Sequence, residues 1–98
     1  MRKIKIAFIG SGYMASEHAK AFQAFEETEF VGVCGRTRKK VEIFANDYRM
    51  PEICPNVDDL YYKTRADLVI ICVPELSLNE VAKAAFKFPW TILMEKPS

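Results

Sequence analysis

Residues 4–20, which read IKIAFIGSGYMASEHAK, decide the fold class of this chain. An apolar run ends at Gly10, a second glycine follows at Gly12, and the small residue Ala15 comes three positions later. This spacing, between an apolar strand and residues that favour a helix, is typical of the strand–turn–helix unit that binds a dinucleotide. Gly10 permits a sharp turn, Gly12 lets a pyrophosphate approach the backbone, and Ala15 lets the helix pack closely on the strand. The alternative is an ordinary turn between a strand and a helix.

The residues around the start of this helix are candidate cofactor-binding residues. The free N–H groups and the positive end of the helix dipole would face the phosphates of a dinucleotide. Ser11 lies in the turn, and we expect Tyr13 and Met14 to lie over the pyrophosphate or the nicotinamide, unless they only pack against the protein. His18 follows near the side of the helix that faces the sheet, and we expect it to be structural rather than catalytic.

The rest of the chain alternates between strand and helix patterns. Strands are predicted at residues 3–9, 30–34, 53–54, 68–73 and 90–94. Helices are predicted at residues 13–25, 38–48, 59–62 and 78–86, with Thr37, Asp58 and a capping box of Ser77 and Glu80 at the starts of the last three. The alternation predicts an α/β fold, a Rossmann-type doubly wound parallel sheet in the order 3-2-1-4-5.

Such a domain usually has a sixth strand, and the predicted pattern stops at the fifth. We therefore expect residues 1–98 to form one dinucleotide-binding domain of a longer protein, truncated before the sixth strand, with the substrate domain absent.

The composition argues against several functional classes. The formal net charge is +1 and there is no long basic block, which argues against a nucleic-acid partner. No run of eighteen apolar residues is present, so no membrane span is predicted. The cysteines Cys34, Cys54 and Cys72 lack CxxC spacing, so we expect buried free thiols in a reducing cytoplasm rather than disulfides or a metal site.

The residues after the second strand predict which cofactor is preferred. An NAD-preferring domain usually places an acidic residue here to bind the ribose hydroxyls, whereas this chain has Gly35. Four cations follow within residues 36–40. Arg36 could clamp a 2′-phosphate with its planar guanidinium, and Thr37 and Arg38 add a hydroxyl and a charge, so NADP is favoured over NAD. The alternative is a basic helical turn that points into water, and Lys40 is the cation most expected to do so.

Two further strand ends carry candidate residues. Cys72 and Val73 would present backbone atoms to the cofactor, and Pro74 would form a wall under the nicotinamide ribose or simply end the strand. Lys96 follows the last strand, where an ammonium could orient a substrate hydroxyl or carbonyl, or act as a general acid or base. The alternative for Lys96 is a surface lysine at a strand end.

The chain resembles the N-terminal domain of the glucose-fructose oxidoreductase and inositol dehydrogenase family (Gfo/Idh/MocA). The pieces that carry this resemblance are Ile9–Ala15 with His18, Val33–Arg36, Asp67–Pro74 and Met94–Pro97. The resemblance implies an NAD(P)-dependent dehydrogenase or reductase that moves a hydride between the nicotinamide and a sugar, cyclitol or similar polyol. It implies that Lys96 is the active-site lysine, that Glu95 holds the nicotinamide side of the pocket, and that the Lys96–Pro97 bond is cis.

The resemblance also implies a C-terminal α/β domain that supplies substrate contacts and often the interface of a homo-oligomer. Without it, we expect the 98-residue chain to be inactive. Family members commonly carry Asn and His after the fourth-strand proline, where this chain has Glu75 and Leu78. This departure keeps open a non-catalytic regulatory or interaction module with the same fold. A binder of a nucleotide-activated methyl donor is a third alternative, and the basic segment after Gly35 counts against it.

Overall fold

The computed structural model describes residues 2–95, which form one five-stranded sheet with helices on both faces. The strands are β1 (Ile4–Ile9), β2 (Thr28–Cys34), β3 (Glu52–Cys54), β4 (Leu68–Ile71) and β5 (Thr91–Met94). The helices are α1 (Tyr13–Gln23), α2 (Arg38–Asp47), α3 (Val57–Thr64) and α4 (Glu75–Ala85). The strands lie in the order β3-β2-β1-β4-β5, and every neighbouring pair is parallel. The predicted Rossmann-type fold and its strand order are confirmed.

Two apolar cores lie on the two faces of the sheet, because successive strand residues point to opposite faces. On one face, Phe8 packs in a cluster with Ala15 of α1 and Phe44 of α2. On the other face, Ile71 belongs to a cluster that contains Leu60 of α3. Among the helices within residues 2–95, none has both the length and the hydrophobicity needed to span a bilayer. Helices on both faces leave the carboxyl ends of the strands as the open edge where ligands bind in such folds.

The end of α1 and the start of β2 differ from the prediction for one shared reason. The Thr28 hydroxyl lies 2.9 and 2.8 Å from the carbonyl oxygens of Phe22 and Phe25, so its one proton is shared between these two acceptors. Thr28 therefore closes the helix, which ends at Gln23, and begins β2 two residues before the predicted Phe30. Helical spacing predicts Phe25 on the buried side of a helix over residues 13–25, but Phe25 lies beyond the end of α1 and is 56% exposed.

Helix α3 begins two residues earlier than predicted and runs longer. Asn56, not Asp58, is the N-cap, and its side-chain oxygen accepts the Asp59 N–H at 2.8 Å. The helix continues to Thr64 rather than ending near Tyr62. A capping side chain accepts the N–H two or three residues ahead from a residue with an extended backbone, and Asn56 has that backbone here.

Helix α4 also begins earlier than predicted. Ser77 and Glu80 do not form a capping box, because the helix already begins at Glu75 with Pro74 as its N-cap. A proline fits the start of a helix, since its missing N–H is not needed there and its φ is already suitable. The Pro74 carbonyl accepts the Ser77 N–H at 2.9 Å, which places Ser77 inside the first turn. β4 ends at Ile71, two residues before the predicted end.

The three cysteines are free thiols, as predicted, but they differ in burial. Cys34 and Cys54 are buried and are partners in the parallel register of β2 and β3. Cys72 is only half-buried, because it lies one residue beyond the end of β4 at the open edge of the sheet.

Asp67 ties the start of β4 to the start of β1. Its carboxylate accepts the backbone N–H of Lys5 at 2.9 Å and pairs with the Arg2 guanidinium. The hydrogen bond from Arg2, followed by the one from the Lys5 N–H, lowers the pKa of Asp67 below its usual value. The carboxylate therefore stabilises the fold at pH values above the unfolded pKa of about 3.9, and this contribution is lost as the pH falls through the lower folded value.

We expect Asp67→Ala to lower the free energy of unfolding by about 1 kcal/mol at pH 7, because the Lys5 N–H loses its acceptor while the exposed ion pair is largely screened. The difference from the unaltered chain should shrink as the pH falls below about 4. Urea unfolding at pH 7 and pH 3 measures this, with Asp47→Ala at the exposed end of α2 as the control. A deficit that stays the same at pH 3 would contradict the assigned role of the charge.

Candidate functional site

A cleft of about 1130 Å³ runs along the carboxyl ends of the strands. Its walls come from the segments that follow β1, β2, β3 and β4, and from one side of α4. The predicted site residues that line it are Gly10, Ser11, Gly12, Gly35, Arg36, Thr37, Cys72, Val73 and Pro74. The cleft therefore brings together three of the strand ends that the sequence analysis singled out.

Gly10 is the point at which β1 turns toward α1. Its φ is +101°, and a Cβ built on it would lie 2.1 Å from the carbonyl oxygen of Cys72. Backbone hydrogen bonds hold it on both sides: the Gly10 N–H donates to the Cys34 carbonyl, and the Cys72 N–H donates to the Ile9 carbonyl, each at 2.8 Å. The ends of β1, β2 and β4 thus converge on a position that only glycine can occupy without strain.

The N-terminus of α1 opens onto the cleft beside this turn. Gly12 is the N-cap and makes no side-chain cap, and the first turn contains no acidic residue. A Cβ built on Gly12 would meet no atom within 4 Å among the described residues, so there is open space at this position. Tyr13 is 74% exposed and Met14 is half-buried, and within residues 2–95 neither belongs to the cleft lining. The helix end therefore offers N–H groups and positive potential to an anion.

The basic segment places two of its cations in the cleft. Arg36 Nη1 donates a hydrogen bond across the cleft to Ser77 Oγ at 3.4 Å, and Lys40 also lines the wall. Arg38 does not line the cleft, because its Nε pairs with Glu42 one helical turn along α2, at 3.0 Å. Thr37 is the N-cap of α2, as predicted, but its side chain makes no capping hydrogen bond.

Gly35 is packed by the core beneath it. A Cβ built on Gly35 would lie 2.6 Å from Cγ2 of Val41, whose side chain is 1% exposed. Valine has no flexible end that can move aside, so a larger residue at position 35 requires a shift of the core. The absence of an acidic residue here is thus coupled to the packing of α2 on β2.

Cys72 and Glu95 directly follow β4 and β5, on the side of the sheet away from the basic segment. The Glu95 N–H donates to the Ile71 carbonyl at 3.0 Å, which sets Glu95 beside Cys72. Burial and, secondly, the Glu95 charge raise the pKa of Cys72 to about 11, so its thiol stays protonated near neutral pH. The predicted catalytic residue, Lys96, and the Lys96–Pro97 bond lie outside the described residues.

Comparisons with known proteins identify the same Rossmann fold that the sheet and its helices show. A family described as "Oxidoreductase family, NAD-binding Rossmann fold" (GFO_IDH_MocA) matches residues 4–98. The chain belongs to this family. The resemblance stated from the sequence is therefore confirmed. A comparison with curated protein sequences found no match.

Solved structures with the same fold include several oxidoreductases. UDP-N-acetylglucosamine 3-dehydrogenase GnnA from Acidithiobacillus ferrooxidans is 27% identical, with a TM-score of 0.82 over 99% of this chain and 30% of its own. GenD2 from gentamicin A biosynthesis, solved with NAD, is 18% identical, with a TM-score of 0.89 over 99% of this chain and 28% of its own. Biliverdin reductase from Synechocystis, solved with biliverdin and NADP⁺, is 21% identical, with a TM-score of 0.83 over 96% and 29%.

The last two structures share the fold at low identity. GenD2 was solved with NAD and biliverdin reductase with NADP⁺, so the fold is found with both nicotinamide cofactors. The present Gfo/Idh/MocA chain spans less than a third of the length of each of the three structures.

Three features of this Gfo/Idh/MocA domain were not predicted from the sequence. Lys40, the cation most expected to point into water, is exposed but also lines the cleft. Ser77 lines the cleft and accepts from Arg36, although it was assigned to a capping box. His18 forms a hydrogen bond with Glu95 across 77 residues of sequence. No local pattern signalled Lys40, since Arg36 precedes the N-cap of α2 and helical spacing does not relate the two residues.

Proposed function

We propose that residues 1–98 form the cofactor-binding domain of an NADP-dependent oxidoreductase. The observation that carries this proposal is the basic end of the cleft, where Arg36 and Lys40 line the wall next to Gly35. An acidic residue at position 35 would favour the free ribose of NAD and repel a 2′-phosphate. Two cations without that acid favour the 2′-phosphate instead.

The residues of the cleft fit a dinucleotide in charge and in shape. The uncapped N-terminus of α1 and the open space at Gly12 suit a pyrophosphate, since backbone N–H groups can approach it there. Arg36 and Lys40 suit the adenosine end. The cleft is also lined by the carboxylates of Asp58, Asp59 and Glu80, of which Asp58 is paired with Lys87 at 3.0 Å.

A nicotinamide cofactor, when bound, would supply or accept the hydride of the reaction. In this proposal Glu95 and Lys96 would stand at its nicotinamide end, and Lys96 would assist proton transfer to or from the substrate. A sugar, cyclitol or similar polyol is the proposed substrate class, which is supported by the nucleotide-sugar dehydrogenase among the similar structures. The three free thiols are consistent with the reducing cytoplasm as the place of action.

The test of cofactor choice is a titration of the chain with NADPH and NADH, followed by nicotinamide fluorescence. We expect NADPH to bind roughly tenfold more tightly or better, a difference of about 1.4 kcal/mol. Arg36→Asp should remove this preference, because it replaces the cation at the 2′-phosphate by an anion. Arg38→Asp is the matched control, since Arg38 carries the same charge but pairs with Glu42 outside the cleft.

Equal affinities for NADPH and NADH in the unaltered chain would contradict the NADP assignment. An equal loss of preference in Arg36→Asp and Arg38→Asp would show that the general charge of the segment matters and not the cleft contact.

A second candidate function is a non-catalytic module that responds to the cofactor. Two residues favour it: Leu78 packs against the apolar core on the α3 side, and Glu75 is exposed at the start of α4. Neither supplies the neutral donors that the family commonly places after the fourth-strand proline. Lys96→Ala in a protein that includes the proposed substrate domain separates the two functions. An enzyme should lose most of its turnover and keep its cofactor affinity, whereas a regulator should keep its response to the cofactor.

A further inference from the structure

The single histidine of the chain is joined to the segment that follows β5. His18 Nε2 lies 2.8 Å from Glu95 Oε2, and the two side chains are only 22% and 32% exposed. An ionised carboxylate can only accept hydrogen bonds, so Nε2 is the protonated nitrogen and donates to Glu95. The bond leaves the second carboxylate oxygen, Oε1, with the capacity to accept from another group.

The pair lies at the carboxyl ends of the strands, on the opposite side of β1 from the basic segment. Glu95 follows β5 and neighbours Cys72, which lines the cleft, whereas Arg36 follows β2 on the far side of β1. A dinucleotide whose adenosine end lies at Arg36 and whose pyrophosphate lies at α1 would direct its nicotinamide half toward Cys72 and Glu95. The carboxamide and ribose hydroxyls of that half are hydrogen-bond donors that a carboxylate accepts.

A purely structural role would be to fasten α1 to the sheet, but this helix is already held by its apolar side. Ala15 and Ala19 are fully buried against the core that contains Phe8 and Ile70. A hydrogen bond between partly exposed groups adds little to that packing. Its clearest consequence is to fix the direction of the Glu95 carboxylate.

We propose that His18 is a positioning residue for the nicotinamide half of the cofactor, and that it acts by orienting the Glu95 carboxylate through the bond between Nε2 and Oε2. The inference rests on the proposed function, since it needs a dinucleotide in the cleft. It adds to the site a residue that the sequence analysis treated as structural.

The experiment compares two probes that differ only at the nicotinamide end. NADPH contains both halves, and adenosine 2′-phosphate 5′-diphosphate contains the adenosine half without the nicotinamide and its ribose. Calorimetric titrations with both probes are made on the unaltered chain, on His18→Leu and on His18→Gln. The glutamine amide can place a donor near the position of Nε2, so it is the conservative variant.

We expect His18→Leu to weaken NADPH binding roughly tenfold, in line with a hydrogen bond to a charged group. Binding of the adenosine probe should change by less than about twofold, which also shows that the variant is folded. His18→Gln should bring NADPH affinity back to within about threefold of the unaltered chain. In the Glu95→Gln background, His18→Leu should have little further effect, because the bond it removes no longer involves a charge.

A measurement without substitutions gives independent evidence. Because the chain has one histidine, its ring protons give a single pair of signals in a proton NMR spectrum. These signals should move on addition of NADPH and stay in place on addition of adenosine 2′-phosphate 5′-diphosphate.

Equal weakening of both probes by His18→Leu would show a general structural role and overturn the inference. The inference would also be overturned if His18→Leu left NADPH binding unchanged, or if the His18 ring-proton signals did not shift on addition of NADPH. An unaltered chain that binds neither probe contradicts the proposed function itself, so the two failures are distinguishable.

Discussion

Gly10→Ala is expected to destabilise the fold by about 3 kcal/mol or more, as measured by urea unfolding. The added Cβ would lie 2.1 Å from a backbone oxygen, that of Cys72, and the φ of +101° is itself strained for alanine. Relief would require β1 and β4 to separate, but the hydrogen bond from the Cys72 N–H to the Ile9 carbonyl, at 2.8 Å, opposes this movement.

Gly12→Ala is the matched control, two residues away in the same turn. Its φ is −85° and the added Cβ meets no described atom within 4 Å, so the free energy of unfolding should change by less than about 1 kcal/mol. The methyl group would occupy the space at the helix N-terminus, so NADPH affinity should fall although the fold is intact. Equal destabilisation by the two substitutions would contradict the assignment of Gly10 to the fold and of Gly12 to the ligand.

Gly35→Asp is expected to abolish the preference for NADPH without creating tight binding of NADH. The obvious expectation for an acidic residue at this position is a switch to NAD. Here the new Cβ would lie 2.6 Å from Cγ2 of Val41 in the buried core, so the strand end must shift to accept it. We expect a loss of about 2 kcal/mol in the free energy of unfolding, typical of overpacking, and a displaced carboxylate that does not reach the ribose hydroxyls.

Combining Gly35→Asp with Val41→Ala should restore room for the side chain and give a preference for NADH. Val41→Ala alone is the control: it should cost about 2 kcal/mol through its cavity and leave the preference for NADPH unchanged. The stability losses of the two single variants should therefore sum to more than the loss of the double variant. If Gly35→Asp alone binds NADH as tightly as the double variant does, Val41 does not restrict the cofactor specificity of this position.

The sequence predicted the sheet well because its signals are local. The apolar run over residues 68–73 predicted a strand buried on both faces, of which residues 68–71 form β4, and the glycine spacing after β1 indicated a turn into a helix. Strand order followed from the alternation of strands and helices and from right-handed crossovers. Capping was predicted less well, since Asp58 and Asn56 offer similar side chains and only the backbone conformation shows which one is the N-cap.

The candidate site was predicted in its position and only partly in its members. Arg38 and Lys40 are both cations of one basic segment, and nothing in the sequence order separates them. The structure does, because Arg38 lies one turn before Glu42 and pairs with it, whereas Lys40 faces the cleft. Ser77 lines the cleft from the first turn of α4, since Pro74 rather than Ser77 is the N-cap of this helix.

The sequence by itself determined the family, the parallel sheet and the end of the sheet at which the candidate cleft lies, because these depend on periodicity and on residues a few positions apart. Only the tertiary structure decided that Gly35 is packed by Val41, that Arg36 reaches Ser77, and that His18 meets Glu95. Each of these contacts joins side chains from different elements, and its existence depends on helix rotation and strand register. Those quantities are set by the packing of the whole core, so no local pattern in the chain reports them.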